Sequence, residues 1–281
     1  MKQNYINYIN GTWEDENNSS VPIYDGGFLL GDGLFETIRF DNKNIFSVKK
    51  HLNRLYEGLS LIRIKLNIKE NEIISLLEKI VKKNSIQSGL LRLMITRGKI
   101  EGAPWKYMGP PGIYITIRPF TNEPNLPVKI IYYNEKKYPI IRFTPAIKSL
   151  NYIGNMLAKK DAEKEKAYEP VFYNHNGFIT ECAIRNIFYI SNNKLLTPST
   201  SLGVLPGVMR DTIISISKNI GLTVEETNIP IKSINKMDEA FISSTGIGLL
   251  PCTWDGWNSK FKKTYELKKL LDSLIHNKDL I

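Results

Sequence analysis

The sequence predicts an α/β protein, with α+β character, built as two lobes, and three observations carry that expectation. The chain has 281 residues, longer than a typical single domain and short for three. Its first 120 residues mix the three-to-four-residue apolar step of helices with the two-residue alternation of strands. The segment TNEPNLP, residues 121–127, then sets two prolines among polar residues and interrupts both periodicities before the pattern restarts. The expected organisation is a smaller N-terminal α/β domain over 1–120, a linker at 121–127 and a larger C-terminal domain over 128–281.

The elements follow in order. YINYI, Asn10-Gly11 and a second run through Trp13 read as a hairpin, because Asn-Gly supplies the positive φ angles of a tight turn. Strands are expected at Phe35–Phe40 and Ile45–Phe46, with Asp41–Asn44 as the turn between them. Val48, Leu52, Leu55, Leu59 and Ile62 step by four and three and define one face of an amphipathic helix, and Ile73, Leu76, Leu77, Ile80 and Val81 define a second. Leu91, Leu93 and Ile95, then Ile113, Ile115 and Ile117, alternate with other residues as half-buried strands do. Beyond the linker the expectation is a strand from Val128, a helix beginning near Asn151, and strands around Val171 and Asn186–Ile190 separated by the turn NHNG. A helix after Pro206-Gly207 should end near Gly221 in a left-handed cap. A strand at Ala240–Ser243 and a helix from about Ser259 close the chain.

Composition excludes several classes. Hydrophobic residues at 42% and charged residues at 23% are those of a globular chain and argue against extended disorder. Two cysteines cannot make a disulfide framework, and three histidines lack zinc-site spacing, so a cytoplasmic, metal-free protein is expected. No apolar stretch reaches the ~20 residues of a membrane span, and the N-terminus has no signal-peptide core. The formal charge of +10 raises the question of nucleic acid. The basic residues are scattered among acids and asparagines, with groupings no longer than pairs such as Lys49-Lys50, so a solvated surface is the expectation and no nucleic-acid partner.

Several residues carry chemistry as well as a plainer reading. Arg54, in HLNRL, emerges between Leu52 and Leu55 at the edge of a helix's apolar face, where a guanidinium is either solvated or suited to clamping a phosphate. Lys148, in AIKSLNY, stands just ahead of an expected helix. A lysine there can lose solvent and act as an amine nucleophile, or simply lie on the surface. Glu181, in GFITECAIRNIF, is a carboxylate in an apolar strand and so needs a partner, such as a protonated ring nitrogen, unless it sits at a strand edge. Pro206-Gly207-Val208-Met209 opens a helix, and free amides at a helix start make an anion site. Ser243-Ser244-Thr245-Gly246 could add hydroxyls to the same anion or be only a turn. Gly31-Asp32-Gly33 reads as a turn.

Taken in order, GDGLFETIRF, HLNRL, ITRG, IKSLNYIGNMLAKKDA, GFITECAIRNIF, LPGVMRD and ISSTGIGLLP resemble the class IV, or fold-type IV, aminotransferases. That family includes branched-chain and D-amino-acid aminotransferases and aminodeoxychorismate lyases. The strings run from about residue 24 to 252, most of the chain, in the family's order. The resemblance implies a two-domain fold with a mixed, barrel-like sheet in the larger lobe, pyridoxal 5'-phosphate as cofactor, and a homodimer that completes its pocket with residues of the partner chain.

It also implies roles. Lys148 would bond covalently to the cofactor and shuttle the substrate's α-proton, and Glu181 would pair with the pyridine nitrogen. Arg54, the amides of Val208 and Met209, and the hydroxyls of Ser244 and Thr245 would hold the phosphate. Tyr152 would sit near the phenolic oxygen, Phe35 would line the substrate pocket, and Arg92 and Arg97 are candidates for the substrate carboxylate, with salt-bridged strand residues as the alternative for each. RGKIEGAPW lacks the Arg and His that follow TRG in D-amino-acid enzymes, and Phe35 replaces their tyrosine. LPG, Phe35 and Arg92 look like branched-chain enzymes, whereas Met209 with TEC looks like some aminodeoxychorismate lyases. The expected reaction is amino-group transfer between an amino acid, branched-chain by preference, and a 2-oxo acid, with the lyase reaction as the alternative.

Overall fold

The protein, seen as a computed structural model, is described over residues 4–120 and 124–276. Residues 121–123 of the expected linker lie outside the described residues. The chain divides into two compact units, one holding 4–120 and Ile147–Asn151, the other 124–146 and 152–276.

The first unit contains strands β1 (Ile6–Ile9), β2 (Thr12–Asp15), β3 (Gly33–Asp41), β4 (Asn44–Ile45), β5 (Gly89–Thr96), β6 (Lys99–Ile100), β7 (Tyr107–Met108) and β8 (Gly112–Pro119). Its helices are α1 (Gly26–Leu30), α2 (Val48–Leu61) and α3 (Glu70–Lys83). Six strands form an antiparallel sheet in the order β2-β1-β8-β5-β3-β4, and β6 and β7 pair separately. The β1–β2 turn is the expected one, with φ of 48° at Asn10 and 104° at Gly11. The apolar faces foreseen for the two long helices are buried: Leu52, Leu55 and Leu59 of α2 and Ile73, Leu77 and Ile80 of α3 share a core with Ile38, Leu91, Leu93 and Ile115 of the sheet.

One feature of this sheet fixes the backbone of residues 148–150. β4 pairs only with Phe40 and Asp41, so the first part of β3 is left with an open edge. Residues 148–150 fill it: the Phe35 N–H donates to the Lys148 carbonyl (2.9 Å), the Leu150 N–H donates to the Gly33 carbonyl (3.0 Å), and Leu34 bridges Ser149. Asn151 continues the attachment by donating its side-chain amide to the Gly31 carbonyl at 3.1 Å. Gly31 (φ 67°) must lack a side chain, since a Cβ there would lie 2.4 Å from Asn151 Oδ1.

The second unit contains β9 (Val128–Asn134), β10 (Glu169–Tyr173), β11 (Ile179–Cys182), β12 (Asn186–Ser191), β13 (Lys194–Pro198), β14 (Thr223–Thr227), β15 (Glu239–Ser244) and β16 (Gly248–Thr253), with helices α4 (Ile153–Lys164), α5 (Val208–Ser217) and α6 (Lys262–His276). The eight strands make one mixed sheet, ordered β11-β10-β9-β16-β15-β12-β13-β14, curled into a half-barrel. β9 runs parallel to β10 and β16, and β13 parallel to β14; the other neighbours are antiparallel. Val128, Ile130, Val171, Ile187, Tyr189 and Ile242 lie in its core, and Phe188 stacks on Phe241 at 4.9 Å between centroids.

Helix starts and ends shift from expectation for local reasons. α4 begins at Ile153 rather than near Asn151, because 148–151 is bound to the β3 edge and to Gly31. α6 begins at Lys262, where the Glu239 carboxylate accepts the N–H groups of Lys263 and Thr264 at 2.8 and 2.7 Å. α5 stops at Ser217, and a tighter 3₁₀ turn over Lys218–Ile220 carries the chain to the left-handed Gly221. Among the described residues no helix is long and apolar enough to cross a membrane.

Candidate active site

Among the sequence-predicted residues, Phe35, Arg54, Arg92, Arg97 and Lys148 belong to the first unit. Lys148 is half-buried, its backbone fixed by the β3 edge, and its Nζ lies 4.6 Å from the centre of the Phe35 ring. The Arg92 guanidinium lies 4.1 Å from the same ring. One buried aromatic thus gathers the amine and one of the two candidate carboxylate-binding arginines. Both cations come from backbone ladders, Lys148 from the edge segment and Arg92 from β5, where it stands opposite Thr37.

Arg54 projects from α2 onto β3. Its Nε and Nη2 donate to the two oxygens of Glu36 at 2.8 and 2.7 Å, a fork-to-carboxylate pair. His51, one turn earlier on the same helix face, makes a 2.7 Å bond from Nδ1 to Glu36 Oε2. Glu36 is 1% exposed. Burial alone would raise its carboxyl, but the Arg54 charge and the His51 hydrogen bond outweigh it and hold the group down at about 2. Burial lowers the His51 imidazole, against the pull of Glu36, so a neutral ring donates Nδ1–H to a carboxylate. Its Nε2 is buried without a hydrogen-bond partner.

Arg97 is engaged elsewhere. It donates from Nε and Nη2 to Asp32 at 2.6 and 3.0 Å, and to the carbonyls of Arg63 and Ile62 at 3.0 and 2.7 Å. Four of its five N–H donors therefore lock the loop after α2 to Gly31-Asp32-Gly33, the salt-bridged alternative of the sequence reading. Asp32 also accepts from the Tyr107 hydroxyl at 2.7 Å.

Tyr152, Glu181, Val208, Met209, Ser244 and Thr245 belong to the second unit. Tyr152 is half-buried at the cap position of α4. Glu181 is on β11, half-buried, and its carboxylate is paired on both oxygens. Oε1 takes Arg142 Nη1, and Oε2 accepts the Leu205 N–H at 3.1 Å. Arg142 is shared with Glu135, to which its Nε and Nη2 donate at 3.0 and 2.6 Å.

The start of α5 has no side-chain cap, since its cap residue is Gly207. Helix geometry leaves the amides of Val208 and Met209 without intrahelical acceptors, so this end presents positive partial charge. Gly207 is required by close packing: a Cβ would lie 2.1 Å from Asn186 Oδ1. Asn186 donates to the Leu205 carbonyl at 3.0 Å and stands opposite Ser243 in the β12–β15 ladder. That contact brings the helix start beside the end of β15, which Ser244 closes and Thr245 follows. Ser243 is buried, and its hydroxyl has no hydrogen-bond partner.

Sequence reasoning missed Glu36, His51, Glu135, Arg142 and Asn186, while Ser243 was foreseen only as part of the Ser243-Ser244-Thr245-Gly246 string. A signal existed for one: Glu36 lies in GLFETIRF, as apolar a strand as the one that drew attention to Glu181. The others become visible only through contacts distant in sequence, such as the 39 residues between Arg142 and Glu181.

The decisive comparison is with the family model described as "Amino-transferase class IV", which this sequence matches over residues 33–253. The chain belongs to the class IV aminotransferase family. Among curated class IV relatives, a protein of Methanocaldococcus jannaschii provisionally named a branched-chain-amino-acid aminotransferase is 31% identical, covering 87% of this chain and 85% of its own. The D-alanine aminotransferase of Listeria monocytogenes serotype 4b is also 31% identical, covering 87% and 86%. The aminodeoxychorismate lyase of Bacillus subtilis is 30% identical, covering 88% and 85%. A crystal structure of the branched-chain aminotransferase from Thermoproteus uzoniensis with norvaline superposes at a TM-score of 0.90 and 20% identity, over 99% of this chain and 97% of that one, a shared fold. The expected family and fold class are thereby confirmed: this is an enzyme of a class IV family that depends on pyridoxal phosphate.

Proposed function

We propose that this class IV enzyme is a pyridoxal-phosphate-dependent aminotransferase that moves an amino group between an amino acid and a 2-oxo acid, with branched-chain amino acids preferred. The observation that carries the reading is the holding of Lys148. Its backbone is fixed to the β3 edge, and its amine lies 4.6 Å from the Phe35 ring. The cofactor's needs match the residues present. A glycine-capped helix start and a buried, unpartnered Ser243 hydroxyl suit an anion, and Glu181 suits a ring nitrogen.

The bound cofactor supplies a conjugated ring that accepts the electron pair left when the substrate loses its α-proton. Lys148 is the amine that anchors it and the base that takes and returns that proton. Glu181 holds a proton on the ring nitrogen by stabilising the charged form. Arg54, oriented by Glu36, grips the phosphate with the amides of Val208 and Met209 and the hydroxyls of Ser244 and Thr245. Tyr152 is assigned to the phenolic oxygen. Phe35 lines the pocket, and Arg92, beside the same ring as Lys148, takes the substrate carboxylate. Arg97 is left out, because its donors serve Asp32 and two backbone carbonyls.

The reading extends to a cytoplasmic homodimer. Exposed Ile23, Tyr24, Phe28 and Leu30 in the first unit are apolar surface that a second copy would cover. The lyase reaction is the second reading, favoured by the 30% identical Bacillus subtilis relative and by Met209, which keeps the amide at the phosphate site but lacks a hydroxyl.

Borohydride reduction of the purified protein with pyridoxal phosphate, followed by peptide mass spectrometry, tests the anchor. The expected adduct is on Lys148, and an adduct on another lysine, or one that persists in Lys148→Ala, rejects the assignment. Amino transfer from L-leucine, L-valine and D-alanine to 2-oxoglutarate, set against pyruvate release from aminodeoxychorismate, separates the two reactions.

A further inference from the structure

We propose that Arg142 is a positioning residue for Glu181, fixing the direction and the charge of the carboxylate that faces the cofactor's ring nitrogen; the inference rests on the functional reading above. Arg142 lies in the segment between β9 and Lys148, and its stem packs against Gly203, where an added Cβ would lie 3.3 Å from Arg142 Cβ. Its fork is divided between two acids. Nη1 donates to Glu181 Oε1, while Nε and Nη2 donate to Glu135 Oε1 at 3.0 and 2.6 Å. Thr180 joins the pair, accepting from Nη2 at 3.1 Å and donating to Glu135 Oε1 at 2.6 Å.

Two consequences follow for Glu181. Its carboxylate cannot rotate, because Arg142 holds Oε1 and the Leu205 N–H holds Oε2 at 3.1 Å. A carboxylate offers about four lone-pair directions, so those that remain for a ligand are set in space. The second consequence is electrostatic. Burial would lower the Arg142 guanidinium, but Glu181 and Glu135 outweigh it and raise it, so the group stays charged. Glu135, Glu181 and Arg142 therefore sum to one net negative charge in a mostly buried cluster. That surplus matches one cationic nitrogen. Were Arg142 removed, two carboxylates brought together by the same guanidinium would repel, and one would take up a proton.

The test compares dissociation constants, by equilibrium dialysis, for pyridoxal phosphate and for its analogue with carbon in place of the ring nitrogen. Both carry the aldehyde and the phosphate, so their ratio isolates the nitrogen contact. The wild-type protein should prefer the nitrogen compound. Arg142→Met should lower that preference by about tenfold, the scale of one charge-assisted hydrogen bond, and Arg142→Lys, which keeps the charge without the fork, should fall between. Glu135→Gln, which leaves the Glu181–Arg142 bond in place and does not depend on Arg142→Met folding, should also lower the ratio by removing the surplus charge. Equal losses for both compounds, or an unchanged ratio in Arg142→Met and Glu135→Gln, overturns the inference alone. A wild-type protein that binds no pyridoxal phosphate overturns the functional reading, and this inference with it.

Discussion

Replacing Arg54 with Met should be among the most damaging single changes to the first unit, even without cofactor. Glu36 is 1% exposed and accepts two hydrogen bonds from Arg54 and one from His51. The variant leaves that carboxylate buried against a neutral imidazole, without the guanidinium. Removing one member of a buried ion pair costs roughly 3–5 kcal/mol. The carboxyl's displacement from 4.5 to about 2 corresponds to ~3 kcal/mol at 1.36 kcal/mol per unit, the net favour that Arg54 and His51 together give the charged form over the burial penalty. Glu36→Leu with Arg54→Met removes both charges, leaving an unsatisfied His51 N–H at about 1–3 kcal/mol. The double variant should therefore be no less stable than Arg54→Met alone. Urea unfolding of cofactor-free wild type, Arg54→Met, Glu36→Leu and the double variant measures the four free energies. A cost below ~1 kcal/mol for Arg54→Met, or a double variant as unstable as the sum of the singles, would refute the argument.

Two further outcomes are expected. Gly207→Ala should destabilise the second unit by about 1–3 kcal/mol and weaken phosphate binding, because its Cβ would displace Asn186 and break the bond to Leu205; thermal melting with and without inorganic phosphate reads both effects. Acidification should erode stability in two windows, checked by the melting temperature of wild type against Glu36→Gln. His51, lowered in the folded state, lets the unfolded chain bind a proton first as pH falls below 6.5. Glu36, also lowered, contributes stability above 4.5 that is lost towards about 2, and the Gln variant should lack that second loss.

What the sequence revealed is what side-chain pattern encodes. The α2 face of Leu52, Leu55 and Leu59 and the Asn10-Gly11 turn are local signals, and both appear where expected. β13, β14 and β16 were not foreseen. The strand KLLTP is short, TVEET is polar on an edge of the sheet, and GLLPCT has an apolar run too brief to separate strand from helix. Within the candidate site, Lys148 stood out by its surroundings in the chain, but its attachment to β3 did not. That attachment uses backbone hydrogen bonds, which leave no mark on residue type. Arg142 and Glu135 were invisible for a different reason: a charged residue in a loop is ordinary until a third element shows what it faces.

The route of the chain has a consequence for taking the molecule apart. The polypeptide leaves the first unit near residue 121, returns for Ile147–Asn151, and leaves again. No single scission yields two self-sufficient halves: a cut in the proline-rich segment strands Lys148 on the wrong fragment and strips β3 of its borrowed neighbour. Any recombination of such enzymes that swaps one lobe must therefore carry a five-residue insert from the middle of the other gene segment, or lose the amine on which the chemistry is proposed to turn.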